Sequence, residues 1–409
     1  MLSSTRSLLR LRKPNWGKNA TLPLCGIFAV LVTRNTLLFS SEFDTAAFAT
    51  AIAYMAIVVS RHPHKILAIS VRKARLPFYV FFFGIATGIA SSLSSLELQQ
   101  SIQNTLVFYL VLFLTLSLAS SLPAEQLRKL FFLFGIICLL FILLSLGQSI
   151  GLINLPLAGE FQTGSRFYEA RFILPPGVHS NPNQLGLLGL TGSISTALGC
   201  AFTSRKRLLP RIIFLLANTI FVFTEVEYEA RAALLGSTLM ICIVALDYII
   251  ANQLFASKLL KMTARAIALA MSIIIALIAL ILLVYRDNFS SLLSGRNEIW
   301  NAYISSFASS PLLGHGAHPL MTLSAHNSFL MTIYSHGILG AIVNFLFVLY
   351  VYLLFASRLN TLGLVPLFSL VTILFYSCFD VNGFGFLGIL TMPVVISSGA
   401  CLSARKRAL

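Results

Sequence analysis

The stretch NSFLMTIYSHGILGAIVNFLFVLYVYLLF (Asn327–Phe355) contains no Asp, Glu, Lys or Arg. Wound as a helix at about 1.5 Å per residue, it is long enough to cross a hydrocarbon core of about 30 Å. Its reading decides the fold class because the pattern recurs. Apolar runs at 20–39, 45–60, 76–93, 104–121, 130–150, 183–202, 211–226, 231–252, 266–285, 362–379 and 385–403 join 327–355 to give about twelve spans. With 57% hydrophobic and 10% charged residues in 409, the chain has too little polar surface to cover a water-soluble globule. A barrel would need short alternating segments instead. The expected fold is an all-α integral membrane protein.

An even number of spans puts both ends on one side, and the charges say which. Lys and Arg concentrate in alternate connections: Arg6, Arg10, Arg12, Lys13 and Lys18; Arg61, Lys65, Arg72, Lys73 and Arg75; Arg128 and Lys129; Arg205, Lys206, Arg207 and Arg211; Lys258, Lys261 and Arg265; Arg358; Arg405, Lys406 and Arg407. By the positive-inside rule these 23 of the 29 basic residues are cytoplasmic. The net charge of +16 is therefore mostly a topology signal facing anionic headgroups, and it calls for no nucleic-acid partner.

The expected organisation is a basic cytoplasmic N-terminus (1–19), a polytopic membrane domain (20–403) and a short cytoplasmic tail (404–409). The basic start followed by an apolar run resembles a signal peptide, but no small-x-small cleavage pattern follows, so it reads as a retained first helix. The six cysteines lie far apart, mostly within or at the ends of spans and without CxxC spacing. They suggest packing residues, not a disulfide framework or thiolate site.

Two outer connections are long, 151–182 and 286–326, and long structureless loops are uncommon unless functional. Within the second, Ile299, Trp300, Tyr303, Ile304 and Phe307 recur at helical spacing after Ser294-Gly295, which predicts an amphipathic helix with Arg296 at its start. Arg166, Arg171, Arg231, Arg286 and Arg296 lie outside or at the outer edge, against the inside rule. Each is either a ligand contact or a snorkelling anchor. Arg34, in the outer half of the first span, has the same two readings. His326 and Asn327 stand where the 327–355 run begins.

Three pieces, EYEARAALLG (227–236), SGRNEIWNAYISSFASSPLLGHG (294–316) and AHNSFLMTIYSHGILG (325–340), with a weaker fourth, GVHSNPNQLG (177–186), resemble the bacterial O-antigen ligase and O-antigen polymerase superfamily in order and spacing. The resemblance implies about twelve transmembrane helices with a GT-C-like periplasmic active site. It further implies an undecaprenyl-pyrophosphate glycan donor and glycosyl transfer without nucleotide sugar, metal or other cofactor. It assigns functional roles to Arg231, Arg296 and His326, and places Asp380, in SCFDVNGFG, where such proteins carry an acid. One departure is that Glu225, Glu227 and Glu229 precede Arg231, where members carry Ser or Thr. On a continued helix Glu227 would face Arg231 four residues on, and either orient or neutralise it.

These residue types suit that chemistry. Arginine forks stay charged and match phosphate oxygens. Histidine near neutral pH accepts the proton of an attacking hydroxyl. The helix start at His326 offers backbone N–H groups to an anion, and Asn327 either holds the imidazole or a sugar hydroxyl, or caps the helix. His336, deeper in the run, reads as a packed, hydrogen-bonded helix residue. The resemblance implies a glycolipid acceptor, either lipid A-core for a ligase or a lipid-linked repeat for a polymerase. Two rivals remain. His315, His318 and His326 in one loop suggest zinc, but no acidic ligand is near. A transporter would need charged residues at mid-span, and these are few. GFGFLG (383–388) matches a dinucleotide pattern but opens a span with no strand before it, and its glycines, like Gly186, Gly189 and Gly192, suit close helix packing.

Overall fold

The computed structural model describes residues 16–34, 36, 38–61, 75–95, 97–158, 177–179, 182–203, 208–228, 230–252, 296–316, 326–379 and 388–404. Every regular element among them is helical: α1 (Trp16–Thr33), α2 (Ser41–Ser60), α3 (Arg75–Ser92), α4 (Leu98–Ser121), α5 (Ala124–Ser149), α6 (Pro182–Ala201), α7 (Leu209–Glu227), α8 (Arg231–Asn252), α9 (Asn297–Phe307), α10 (Ser328–Ser357), α11 (Leu359–Leu362), α12 (Val365–Ser377) and α13 (Met392–Ala404). A single isolated bridge joins Thr36 to His179 among the described residues. By length and composition α2, α4, α5, α7, α8 and α10 can cross a membrane, and α1, α3, α12 and α13 carry shorter apolar stretches. Each span expected from the sequence falls on a helix except 266–285, which lies outside the described residues.

The centre of the bundle is α6, buried at every residue from Leu185 to Ala201 and surrounded by α5, α7, α8, α12 and α13. Its sequence is not the most apolar of the set, but its residues are small. A Cβ added at Gly186 would fall 2.2 Å from the Ala230 side chain, and one at Gly192 would fall 2.5 Å from the Phe221 ring. Such close approach is how helices gain packing energy where water supplies no drive between them. Three of its hydroxyls find partners within the bundle, while the buried Ser195 hydroxyl has none among the described residues. Thr191 and Thr196 donate to carbonyls one turn back, and Ser193 donates to Asn218 on α7.

Helices α8 and α12 run antiparallel. The backbone N–H of Leu364, just before α12, donates to Asp247 near the end of α8, and the Thr372 hydroxyl donates to the Met240 sulfur. A Cβ on Gly236 would meet Thr372 at 3.0 Å. The Asp247 end is closed by a buried pair, Arg211 on α7 lying 3.9 Å from Asp247 and over the Tyr248 ring.

The apolar run that reads as one span is two helical pieces. Gly337 has φ 61 and ψ −167, so α10 breaks there. An unbroken helix would send the N–H groups of Ile338 and Leu339 to the carbonyls of Tyr334 and Ser335. Instead Ile338 and Leu339 donate to the carbonyls of Pro311 and Leu312, while Tyr334 and Ser335 accept from the N–H groups of His315 and Gly316. The segment Pro311–Gly316, which follows α9, thus takes up both donors and both acceptors that the break exposes. The end of α3 holds the same segment: Ser94 donates to the Gly314 carbonyl, Ser91 donates to the Ser335 carbonyl, and Gly316 N–H donates to the Ser91 hydroxyl. His336 sits beside the break, and its buried Nδ1 has no hydrogen-bond partner, so it is not the hydrogen-bonded helix residue expected.

The break demands glycine twice over. The φ/ψ pair at Gly337 is open essentially to glycine alone, and a Cβ there would lie 2.2 Å from the Leu312 carbonyl oxygen. Gly337→Ala is expected to cost about 2–3 kcal/mol or more, read as a lowered thermal midpoint of the detergent-solubilised protein. Gly26→Ala, where a Cβ meets nothing within 4 Å, should leave the midpoint unchanged.

Candidate functional site

The C-terminal end of α12 gathers the site. A helix end leaves carbonyls without intrahelical partners. The carbonyls of Cys378 and Phe379, just past α12, are met by two side chains from distant sequence. Asn327 Nδ2 donates to Cys378 O at 3.1 Å, and an Arg296 terminal nitrogen donates to Phe379 O at 2.8 Å. A cation at this pole is also favoured by the helix dipole. Two residues singled out from separate motifs are therefore tied to consecutive carbonyls of a third segment. Asp380 follows directly in sequence and lies outside the described residues, as do Arg166, Arg171, Glu229, Arg286 and His318.

Each side chain is set by its own helix start. Arg296 is the N-cap residue of α9, whose Trp300 and Tyr303 are buried against Leu330, Met331 and Tyr334 of α10, with Phe379 packed alongside. Tyr303 and Tyr334 meet edge to face at 4.8 Å. Asn327 is the N-cap of α10, its Oδ1 accepting from Leu330 N–H at 2.9 Å. Of the two roles open for Asn327, the cap is made. The amide group is spent on Leu330 and Cys378 and is 3% exposed, so it orients the segment and does not face a ligand. His326, immediately before it, is partly exposed and has φ 47, the one left-handed non-glycine residue among those described. Such conformations cost free energy and persist where their surroundings hold them.

Arg231 opens α8 and is exposed. Counting back from the Gly236–Thr372 approach at about 1.5 Å per residue, Arg231 stands level with the Cys378–Phe379 end of α12. It therefore shares one end of the bundle with Arg296 and His326, while Arg211, Asp247 and Leu364 mark the other. The relation expected between Glu227 and Arg231 is not formed. Helix α7 ends at Glu227, Tyr228 caps it, and Ala230 N–H closes the turn on the Glu225 carbonyl at 2.8 Å. The helix does not continue across, and the ion pairs among the described residues are Lys129–Glu125 and Arg211–Asp247.

A neighbour not picked out among the three acids is Glu225. It is fully buried, accepts from the Ser237 hydroxyl of α8 at 2.7 Å, and occupies the space left by Gly189 of α6. Its second oxygen has no hydrogen-bond partner. The signal lay in the glycine of α6 and the serine of α8, which become adjacent only in three dimensions. His315 is occupied differently from a metal ligand: its Nε2 lies 2.7 Å from the Ser306 carbonyl at the end of α9, which requires it to carry a proton, and its ring stacks on Tyr334. Arg34 lies 4.8 Å over the Phe48 ring, an anchoring contact.

The double use of Asn327 is separable. Asn327→Ala should cost about 1 kcal/mol for the cap and free the Cys378 carbonyl as well. Asn327→Ser should restore the cap alone, so amide exchange at Leu330 is expected to rise in the Ala variant and recover in the Ser variant. No protein-family model matches the chain, and no curated protein matches its sequence.

Proposed function

We propose that the protein is a membrane glycosyltransferase that moves a glycan from undecaprenyl pyrophosphate to a hydroxyl of an acceptor glycolipid, in the manner of the O-antigen ligases its motifs resemble. The observation that carries this reading is the fastening of Arg296 and of Asn327, the neighbour of His326, to consecutive carbonyls just past α12, level with Arg231. Under it the chain crosses a bacterial inner membrane about twelve times with both termini in the cytoplasm, and the Arg231–Arg296–His326 end faces the periplasm. The clustering of Lys and Arg in the opposite connections supports that orientation.

The chemistry then follows from the residues. The acceptor oxygen attacks the anomeric carbon as the bond from that carbon to the pyrophosphate oxygen breaks, with inversion. His326 takes the proton of the attacking hydroxyl. Arg296, with one donor held by Phe379 O, turns the rest of its fork to the departing diphosphate, and Arg231 supplies the second cation. Repeat-unit polymerisation uses the same donor and the same three residues and differs only in the acceptor. A transporter reading draws on the broken helix α10, since discontinuous helices bind substrates in such proteins. Here the amides and carbonyls freed by the break are already taken by Pro311–Gly316, which favours the enzyme.

Turnover of a lipid-linked oligosaccharide in proteoliposomes tests the assignment. His326→Ala is expected to lower the rate by about 10²–10⁴-fold and Arg296→Ala by about 10²–10³-fold. Undiminished transfer in either variant removes that residue from its role. Supplying lipid A-core in one reaction and lipid-linked repeats alone in another separates ligase from polymerase.

A further inference from the structure

At the opposite end of the bundle, a groove of about 360 Å³ lies between the N-terminal halves of α5 and α7, a size in the range of small-molecule sites. Arg128 and Lys129 stand at its mouth, and Phe132, Ile136, Leu209 and Ile213 line it. Its back is α6: the Phe132 ring packs against Gly199, and Cys200 donates from its thiol to the Pro210 carbonyl. The groove is thus closed by protein behind and open sideways, where Ile136, Leu209 and Ile213 remain 50%, 67% and 47% exposed. From Arg128 to Ile136 the wall descends about 12 Å.

We propose that this groove binds one anionic phospholipid of the surrounding bilayer, its phosphate held by Arg128 and Lys129 and an acyl chain laid along Phe132, Ile136, Leu209 and Ile213. The charge at the mouth and the apolar wall below it occur in the order of a headgroup and its chain. Basic pockets between transmembrane helices on the cytoplasmic side recognise such headgroups. Arg128 makes no hydrogen bond or ion pair with the described residues, which leaves its fork for phosphate. Lys129 is paired with Glu125 at 3.0 Å, but both side chains are about two-thirds exposed, and a pair of that kind is weak enough to yield to a phosphate. The lateral opening admits a lipid from the membrane plane, which a water-borne anion would not require.

Native mass spectrometry of the full chain in mild detergent, titrated with phosphatidylglycerol or phosphatidylcholine, reads the proposal. One phosphatidylglycerol should be retained in preference to phosphatidylcholine. Arg128→Gln with Lys129→Gln should weaken that retention about tenfold or more. Ile213→Trp, which fills the groove and leaves its charges, should weaken it as well. Glu125→Gln, which releases Lys129, should strengthen it, a gain that misfolding cannot imitate. Arg61→Gln, a cation on the same side but outside the groove, should change nothing. Equal retention of the two lipids, full binding by the double variant, or an equal loss in Arg61→Gln would overturn the proposal.

Discussion

Inside a membrane no water is at hand for a backbone amide, so every donor and acceptor must find its partner within the protein. That constraint governs the interrupted helix among the described residues. Helix α10 breaks at Gly337, and the break is tolerable because Pro311–Gly316 replaces both the donors and the acceptors it exposes. The exchange fixes the loop, the loop fixes the end of α9, and α9 carries Arg296 at its start. The same rule operates at the end of α12, where Asn327 and Arg296 take up carbonyls that a helix terminus leaves over. Backbone satisfaction and side-chain placement are thus one problem in this protein.

The two ends of the bundle solve different electrostatic problems. At one, Arg211 and Asp247 are buried together and clasp α7 and α8 to the start of α12. Breaking such a pair leaves an uncompensated charge, so it works as a fastening. At the other, Arg296 and Arg231 retain exposure, and one bond to a carbonyl leaves most of the Arg296 fork for a ligand.

Hydropathy made the helices legible, since each apolar run needs only its own residues to be recognised. The burial of α6 was foreshadowed by Gly186, Gly189 and Gly192, whose spacing puts them along one side. The break at Gly337 was not legible, because a glycine in an apolar run reads as packing and its partners lie more than twenty residues earlier. Nor was the end of α7 at Glu227: EYEA contains neither glycine nor proline, so a continued helix and a Glu227–Arg231 pairing followed naturally. Asn327 as a cap could be read from its place before an apolar run. Its second bond to Cys378, like the bond from Arg296 to Phe379, depends on where α12 ends in space, which no local pattern encodes.

Arg296, bonded to the end of α12, and His326, placed there by its neighbour Asn327, are proposed to meet a common diphosphate-bearing ligand. Equilibrium binding of undecaprenyl pyrophosphate to the purified protein tests it without relying on turnover. Arg296→Gln should weaken binding about tenfold or more, the loss of one charged hydrogen bond, while Arg358→Gln at the far end should bind as the wild type does. Equal affinity in Arg296→Gln and wild type would contradict the account.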